Sequence, residues 1–227
     1  MKKIISLIFA SCLPLLGLSQ TNVNGVYVQN GKTIEIDTKS SHAYSVNTSN
    51  TPIALYFSNG LATEVDTNSE FSIDEFVQGI YNTNSYPEKV KAGESSLTVS
   101  LNNGISYFVY PEENTNAECI VSTPLVDVQL HKGSFYIVVT ENNILVITVD
   151  GSCDVGSKKD KKQITTGNAL LAIPNNIGIL DSKISLNPQK MKPEVLNKLS
   201  TTIKQLSNIQ NHVIFVRIDG KIIGVSL

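Results

Sequence analysis

From about Val23 to Leu180 apolar side chains recur at every second position, and turn residues cut the runs short. Ile53, Leu55 and Phe57 alternate around Ala54 and Tyr56, and Asn59-Gly60 follows. Leu97, Val99 and Leu101 alternate with Thr98 and Ser100 before Asn102-Asn103-Gly104. Val126, Val128 and Leu130 alternate with Asp127, Gln129 and His131 before Lys132-Gly133. A period of two belongs to a strand, whose successive side chains point to opposite faces. Phe135 to Val139 and Ile144 to Ile147 are apolar at every position, are separated by Asn142-Asn143, and precede a further turn signal at Asp150-Gly151. Such doubly apolar strands belong between layers. Short strands with turn signals every 8–12 residues predict a mainly β fold, a twisted roll, a solenoid-like stack or a sandwich. The supply of Asn, Ser, Thr and Val and the absence of Trp fit that reading.

Two segments depart from the pattern. Asp66 to Glu94 is polar, with Phe71, Ile73, Phe76, Ile80 and Tyr81 scattered through it, and reads as one strand or a short helical turn followed by a loop around Asn82–Pro87. Near the C-terminus Pro193 suits the first turn of a helix, where its missing N–H costs nothing. Val195, Leu196, Leu199, Ile203, Leu206 and Ile209 then recur at steps of three and four and form one apolar stripe. Beyond Asn211, two apolar runs flank Asp219-Gly220, a strong hairpin signal. The chain thus divides into a β region over 20–180 and a small α-β-β unit over 188–227.

The first residues predict export. Met1-Lys2-Lys3 precede an apolar run from Ile4 to Leu18, with small Gly17 and Ser19 placed for cleavage before Gln20. The run is short for a membrane span, which needs roughly 20 apolar residues. Cys12 would allow lipidation at Phe9-Ala10-Ser11-Cys12, but Phe9 begins that box poorly. A signal peptide over 1–19 places the mature chain in the periplasm, the cell envelope or the medium, with no span of its own. Its 208 residues suit one large β domain or two small ones. A net charge of −2 argues against a nucleic-acid partner. Cleavage leaves Cys119 and Cys153, an even pair that in an oxidising compartment reads as a disulfide or as two buried thiols. A bridge would close a loop of 34 residues, worth on the order of 3–4 kcal/mol. His42, His131 and His212 lie in separate segments, so neither a metal site nor a cofactor is expected.

Over Ile53–Ile173 the chain resembles the FecR-type domain. LTVSLNNGISYFV is similar to the strand pair that opens such domains, and CIVSTPLVDVQLHKGSFYIVV to their signature, in which a Thr-Pro pair precedes a short strand, an Arg-Gly-Thr element and an apolar strand. Thr123-Pro124, Gly133 and Phe135-Tyr136-Ile137 fit that order. ILVITVDGSCDVGS and QITTGNALLAI resemble the strands that follow. Lys132 stands where the family has Arg, and Ser134 where it has Thr; a Lys lacks the planar two-pronged hydrogen bonding of a guanidinium. The resemblance implies a periplasmic module that contacts another envelope component. Members that relay signals also hold a sigma factor in the cytosol, and the three residues before this apolar run are too few for that role. Thr123, Pro124 and Gly133 also have a purely structural reading: proline holds Thr123 extended, and glycine permits a tight turn.

No catalytic residues are expected. Ser134 lies three residues from His131 but outside any G-x-S-x-G frame, and Asp74-Glu75 and Glu112-Glu113 read as solvated turns. Lys158, Lys159, Lys161 and Lys162 form the charge cluster of the chain, at a predicted hairpin tip. They would contact an anionic surface or keep an edge strand from pairing. Tyr107, Phe108 and Tyr110 would either stack on sugars or lie in the core. The expectation is an exported, non-enzymatic binding or sensing module that contacts an envelope protein; the alternative is a structural or glycan-contacting envelope module.

Overall fold

The computed structural model describes residues 20–29, 32–35, 44–81, 91–110, 117–157, 160–174, 184–210, 214–218 and 221–225. The leader, the Asn82–Pro87 loop, Glu112-Glu113, Lys158, Lys159 and Asp219-Gly220 lie outside them. The first seven strands are Gln20–Asn24 (β1), Val26–Gln29 (β2), Lys32–Glu35 (β3), Tyr44–Asn47 (β4), Ile53–Phe57 (β5), Ala62–Val65 (β6) and Glu70–Tyr81 (β7). Lys91–Tyr110 (β8), Ala117–Ser122 (β9), Asp127–Val139 (β10), Ile144–Ser157 (β11), Asp160–Thr165 (β12), Asn168–Pro174 (β13) and Ile184–Lys190 (β14) complete one mixed sheet of fourteen strands. The helix Pro193–Gln210 (α1) and the hairpin Ile214–Ile218 (β15) and Lys221–Val225 (β16) follow. The expected mainly β fold with a C-terminal helix and hairpin is what forms. Among the described residues no helix is long and apolar enough to cross a membrane.

The sheet folds over on itself into two layers because three long strands belong to both. The first half of β8 pairs with β7, and in parallel with β9; its second half, from Gly104, pairs with β6 and β10. Likewise β10 pairs with β9 up to Leu130 and with β8 from Gly133, while β11 pairs with β13 up to Thr148 and with β12 from Ser152. A near layer, under the helix, therefore holds β2, β3, β5, β6, β13, β14 and one half of each long strand. A far layer holds β1, β4, β7, β9, β12 and the other halves. Phe57 of the near layer meets Phe76 of the far layer edge to face at 5.6 Å, and Phe108 lies 6.5 Å from Phe71. Leu55, Ile73, Leu97, Leu130, Phe135 and Ile144 fill the space between the layers, each essentially inaccessible.

At the crossings the structure departs from the expected turns. Asn102-Asn103-Gly104, Lys132-Gly133 and Asp150-Gly151 are bends inside continuous strands. At each bend the parity of the buried positions slips: Leu97, Val99 and Leu101 give way to Ser106, Phe108 and Tyr110, and Val128 and Leu130 to Phe135, Ile137 and Val139. In β10 and β11 the bend is an irregularity of the kind that inserts an unpaired residue. Gly133 and Gly151 face each other across it, with φ of +133° and +82°.

Among its described residues the Asp66–Glu94 segment contains no helical turn but the 12-residue strand β7. Its apolar pattern looked irregular because a bulge at Asp74 moves the inward positions from Phe71 and Ile73 to Phe76 and Gln78. The Asp74 carboxylate accepts hydrogen bonds from Ser72 and Ser100, which pins the bulge.

Helix α1 lies on the outer face of the near layer. Leu199, Ile203 and Leu206 pack over Val109, Ile147 and Ala169, so the doubly apolar strands are covered on both faces. Val195, which the periodicity placed on the stripe, is 36% exposed. The side chain of Ile209 is outside the described set.

Candidate functional site

Beside the edge strand β4 runs an open groove of about 540 Å³. Its lining comes from β4, from the start of β7 and from Asn102 at the bend of β8, and it is almost wholly hydroxyl and amide: Ser45, Asn47, Thr48, Ser49, Asn68, Ser69, Ser72 and Asn102, with Val46, Glu70 and Phe71. The sequence places these groups by short-range bonding. Asn47 Oδ1 accepts from Ser49 N at 3.0 Å, and Asn68 takes a left-handed φ of 57°, which asparagine tolerates.

The floor of the groove is tied to the β8 crossing. Thr48 Oγ1 donates to Ser69 O at 2.8 Å and accepts from Ser69 N at 2.9 Å. Ser69 Oγ in turn accepts from Ile105 N at 3.0 Å and donates to Ile105 O at 3.3 Å. Two side-chain hydroxyls thus replace the ladder bonds that the bend removes. A Cβ on Gly104 would lie 2.2 Å from Ser69 Oγ, so the clasp needs glycine there. The result is a mainly uncharged polar trough, with Glu70 its one charged lining residue, beside a strand that, among the described residues, pairs only with β7.

The residues singled out from the sequence do not gather into one site. Thr123 N and Oγ1 both donate to Val126 O, and Val126 N donates back to Thr123 Oγ1, so Thr123-Pro124 makes the tight β9–β10 turn. Lys132, Gly133 and Ser134 lie roughly 20 Å further along β10 at the strand rise, at the layer crossing. Lys132 is exposed, and Ser134 is buried opposite Val109 and Asp150. His131 Nε2 contacts Asp154 Oδ2 at 3.0 Å on the outer face of the far layer, across the crossing from Ser134, and the Ser134 hydroxyl is not among its partners. Among the described residues no three His, Cys, Asp or Glu side chains converge.

Cys119 and Cys153 are free and buried. Both pair with Leu130, one from each side, so two strand spacings separate them. Two spacings of about 4.8 Å exceed the roughly 7 Å Cα limit for a bridge, and the disulfide that their number allowed does not form. Burial pushes the Cys153 thiol up to about 11, against a hydrogen bond with Thr148 Oγ1 at 3.3 Å that lowers it. Burial, and then the Glu118 charge, raise Cys119 further.

Lys161 and Lys162 stand exposed on β12, the edge strand beyond β11, with Lys161 Nζ donating to Gln129 Oε1 at 2.7 Å. Phe108 and Tyr110 are core residues, whereas Tyr107 is half-buried and packs beside Tyr136. Sequence reasoning missed the groove because Asn47, Thr48, Asn68 and Ser69 look like ordinary turn residues until the pairing of β4 with β7 joins them.

No family model matches the chain, and no curated protein is similar to it. Among solved structures it is similar to two crystal structures, each described as a candidate anti-sigma factor of Parabacteroides distasonis. One aligns at 12% identity and a TM-score of 0.39 over 78% of this chain and 75% of that one. The other aligns at 10% and 0.34 over 92% of this chain and 100% of that one. A likeness this remote says nothing of what the chain does.

Proposed function

We propose that this chain is an exported, non-catalytic β module that binds an extended segment of another cell-envelope protein by strand addition along β4. One observation carries the reading: the two edges of the far layer differ in kind. At β12 the exposed Lys161 and Lys162 guard the backbone, a common defence against unwanted pairing. At β4 the exposed side chains are Ser45 and Asn47, without charge, and a polar groove whose one charged lining residue is Glu70 runs alongside. An added strand gains affinity from main-chain hydrogen bonds, and the groove supplies hydroxyls and amides for its side chains.

The test is a photo-crosslinking amino acid placed at Ser45 in cells, with Lys161 as the comparison position. One envelope protein captured from Ser45, not from Lys161, and lost when Asn47→Lys charges the edge supports the proposal. Equal capture from both positions, or capture indifferent to Asn47→Lys, overturns it.

A further inference from the structure

On the outer face of the near layer, beside α1, three side chains stand in one row across three strands. Glu64 of β6 is directly opposite Tyr107 of β8, which is directly opposite Tyr136 of β10. Neighbours so placed have Cβ atoms about 5 Å apart. The Tyr107 and Tyr136 rings lie 4.8 Å apart at 51°, a tilted pair rather than a closed stack. The Tyr107 and Tyr136 hydroxyls share a hydrogen bond. Tyr56 of β5 and Asp66, just past β6, border Glu64. One side of the row is closed by the apolar cluster that α1 forms with the sheet.

The charges in this row are unbalanced. The Glu64 carboxylate has neither a hydrogen-bond donor nor a cation among the described residues, and it is half-buried. Asp66 spends one oxygen on Thr67 N at 2.7 Å and has no cation among the described residues. Burial, and then Asp66, raise the Glu64 carboxyl; Tyr107 is pushed up to about 12 by burial and then by Tyr136, Asp66 and Glu64. Half-buried negative charge in one row with two tyrosine rings is an arrangement that a cation relieves. A guanidinium suits it best: it is planar, stacks on an aromatic face, and donates in parallel to a carboxylate.

We propose that Glu64, Asp66, Tyr107 and Tyr136 form a binding site for one guanidinium group, distinct from the β4 groove. The group comes from a small guanidino compound or from an arginine side chain of a partner. The chain has eight tyrosines and no tryptophan, so tyrosine signals report directly. The experiment titrates the full chain with arginine amide, with a short Ala-Arg-Ala peptide amide and with citrulline amide, the uncharged shape match. Calorimetry and the ring resonances of Tyr107 and Tyr136 are followed.

Saturable one-to-one binding of the arginine compounds is expected, with citrulline amide at least tenfold weaker. Glu64→Gln should weaken binding about tenfold, and Glu70→Gln in the groove should leave it unchanged. Peptide binding at least tenfold tighter than arginine amide identifies a partner's side chain, and equal binding identifies a small ligand. No saturable binding by the unmodified protein, or binding that citrulline amide matches, overturns the proposal without recourse to any variant.

Discussion

A methyl group added to Gly133 or Gly151 has nowhere to go. It would lie 2.1 Å from Asp150 O in the first case and 1.8 Å from Lys132 O in the second, on backbones that already take positive φ. Left-handed backbone alone costs an L-residue about 1–2 kcal/mol, and the contact adds to it. Gly133→Ala is expected to destabilise the fold by roughly 2–4 kcal/mol, a fall in melting temperature of roughly 4–16 °C for a domain of this size. Gly167→Ala is the control: its φ is +76°, but its methyl group would meet only Leu196 Cδ1 at 3.8 Å, so a loss of about 1 kcal/mol is expected from the same melting experiment. The buried thiol of Cys153 gives a pH effect of fixed sign. Its native value is raised from 9.0 to about 11, so above pH 9 the unfolded chain releases a proton that the folded chain keeps. Its contribution is fully present below pH 9 and is lost as pH rises toward 11, at about 1.4 kcal/mol per pH unit. Urea midpoints from pH 8 to 11 should therefore fall less steeply for Cys153→Ala than for the parent protein.

Among the elements, α1 shows how far periodicity reaches. Leu206, 2% exposed, should cost roughly 2–5 kcal/mol on truncation to alanine, whereas Val195→Ala, at 36% exposed, should stay within about 0.5 kcal/mol in chemical denaturation. Both residues sat on the stripe read from the sequence; only the sheet beneath decides which is covered. The helix, the C-terminal hairpin and most strands were legible because their signals are local. The crossings were not. Gly104, Gly133 and Gly151 each follow a polar residue, as a hairpin glycine does, and the same backbone freedom serves a turn and a bulge alike. What distinguishes them is the partner strand: Gly133 pairs with Tyr110 on one side and Gly151 on the other, which no neighbouring residue announces. Asp74 hid β7 in the same way, by moving the apolar positions out of phase halfway along. The Glu64–Tyr107–Tyr136 row was illegible for a related reason, since its members come from three strands and meet only through register.

For the molecule as a whole, the shared strands bear on cooperativity. Neither layer is a separable unit, because β8, β10 and β11 each supply a part to both. Unfolding should therefore show one transition, with far-UV circular dichroism and tyrosine absorbance coinciding in a urea titration; two separated transitions would mean that a layer survives alone. The same feature sets how the two faces can influence each other. Sheets joined only by side chains can slide, since each packing contact is weak and easily replaced. Here a relative slide would have to stretch three peptide backbones. A load applied at the tyrosine row would thus reach the β4 groove through covalent struts, since β8 carries both Tyr107 and Asn102.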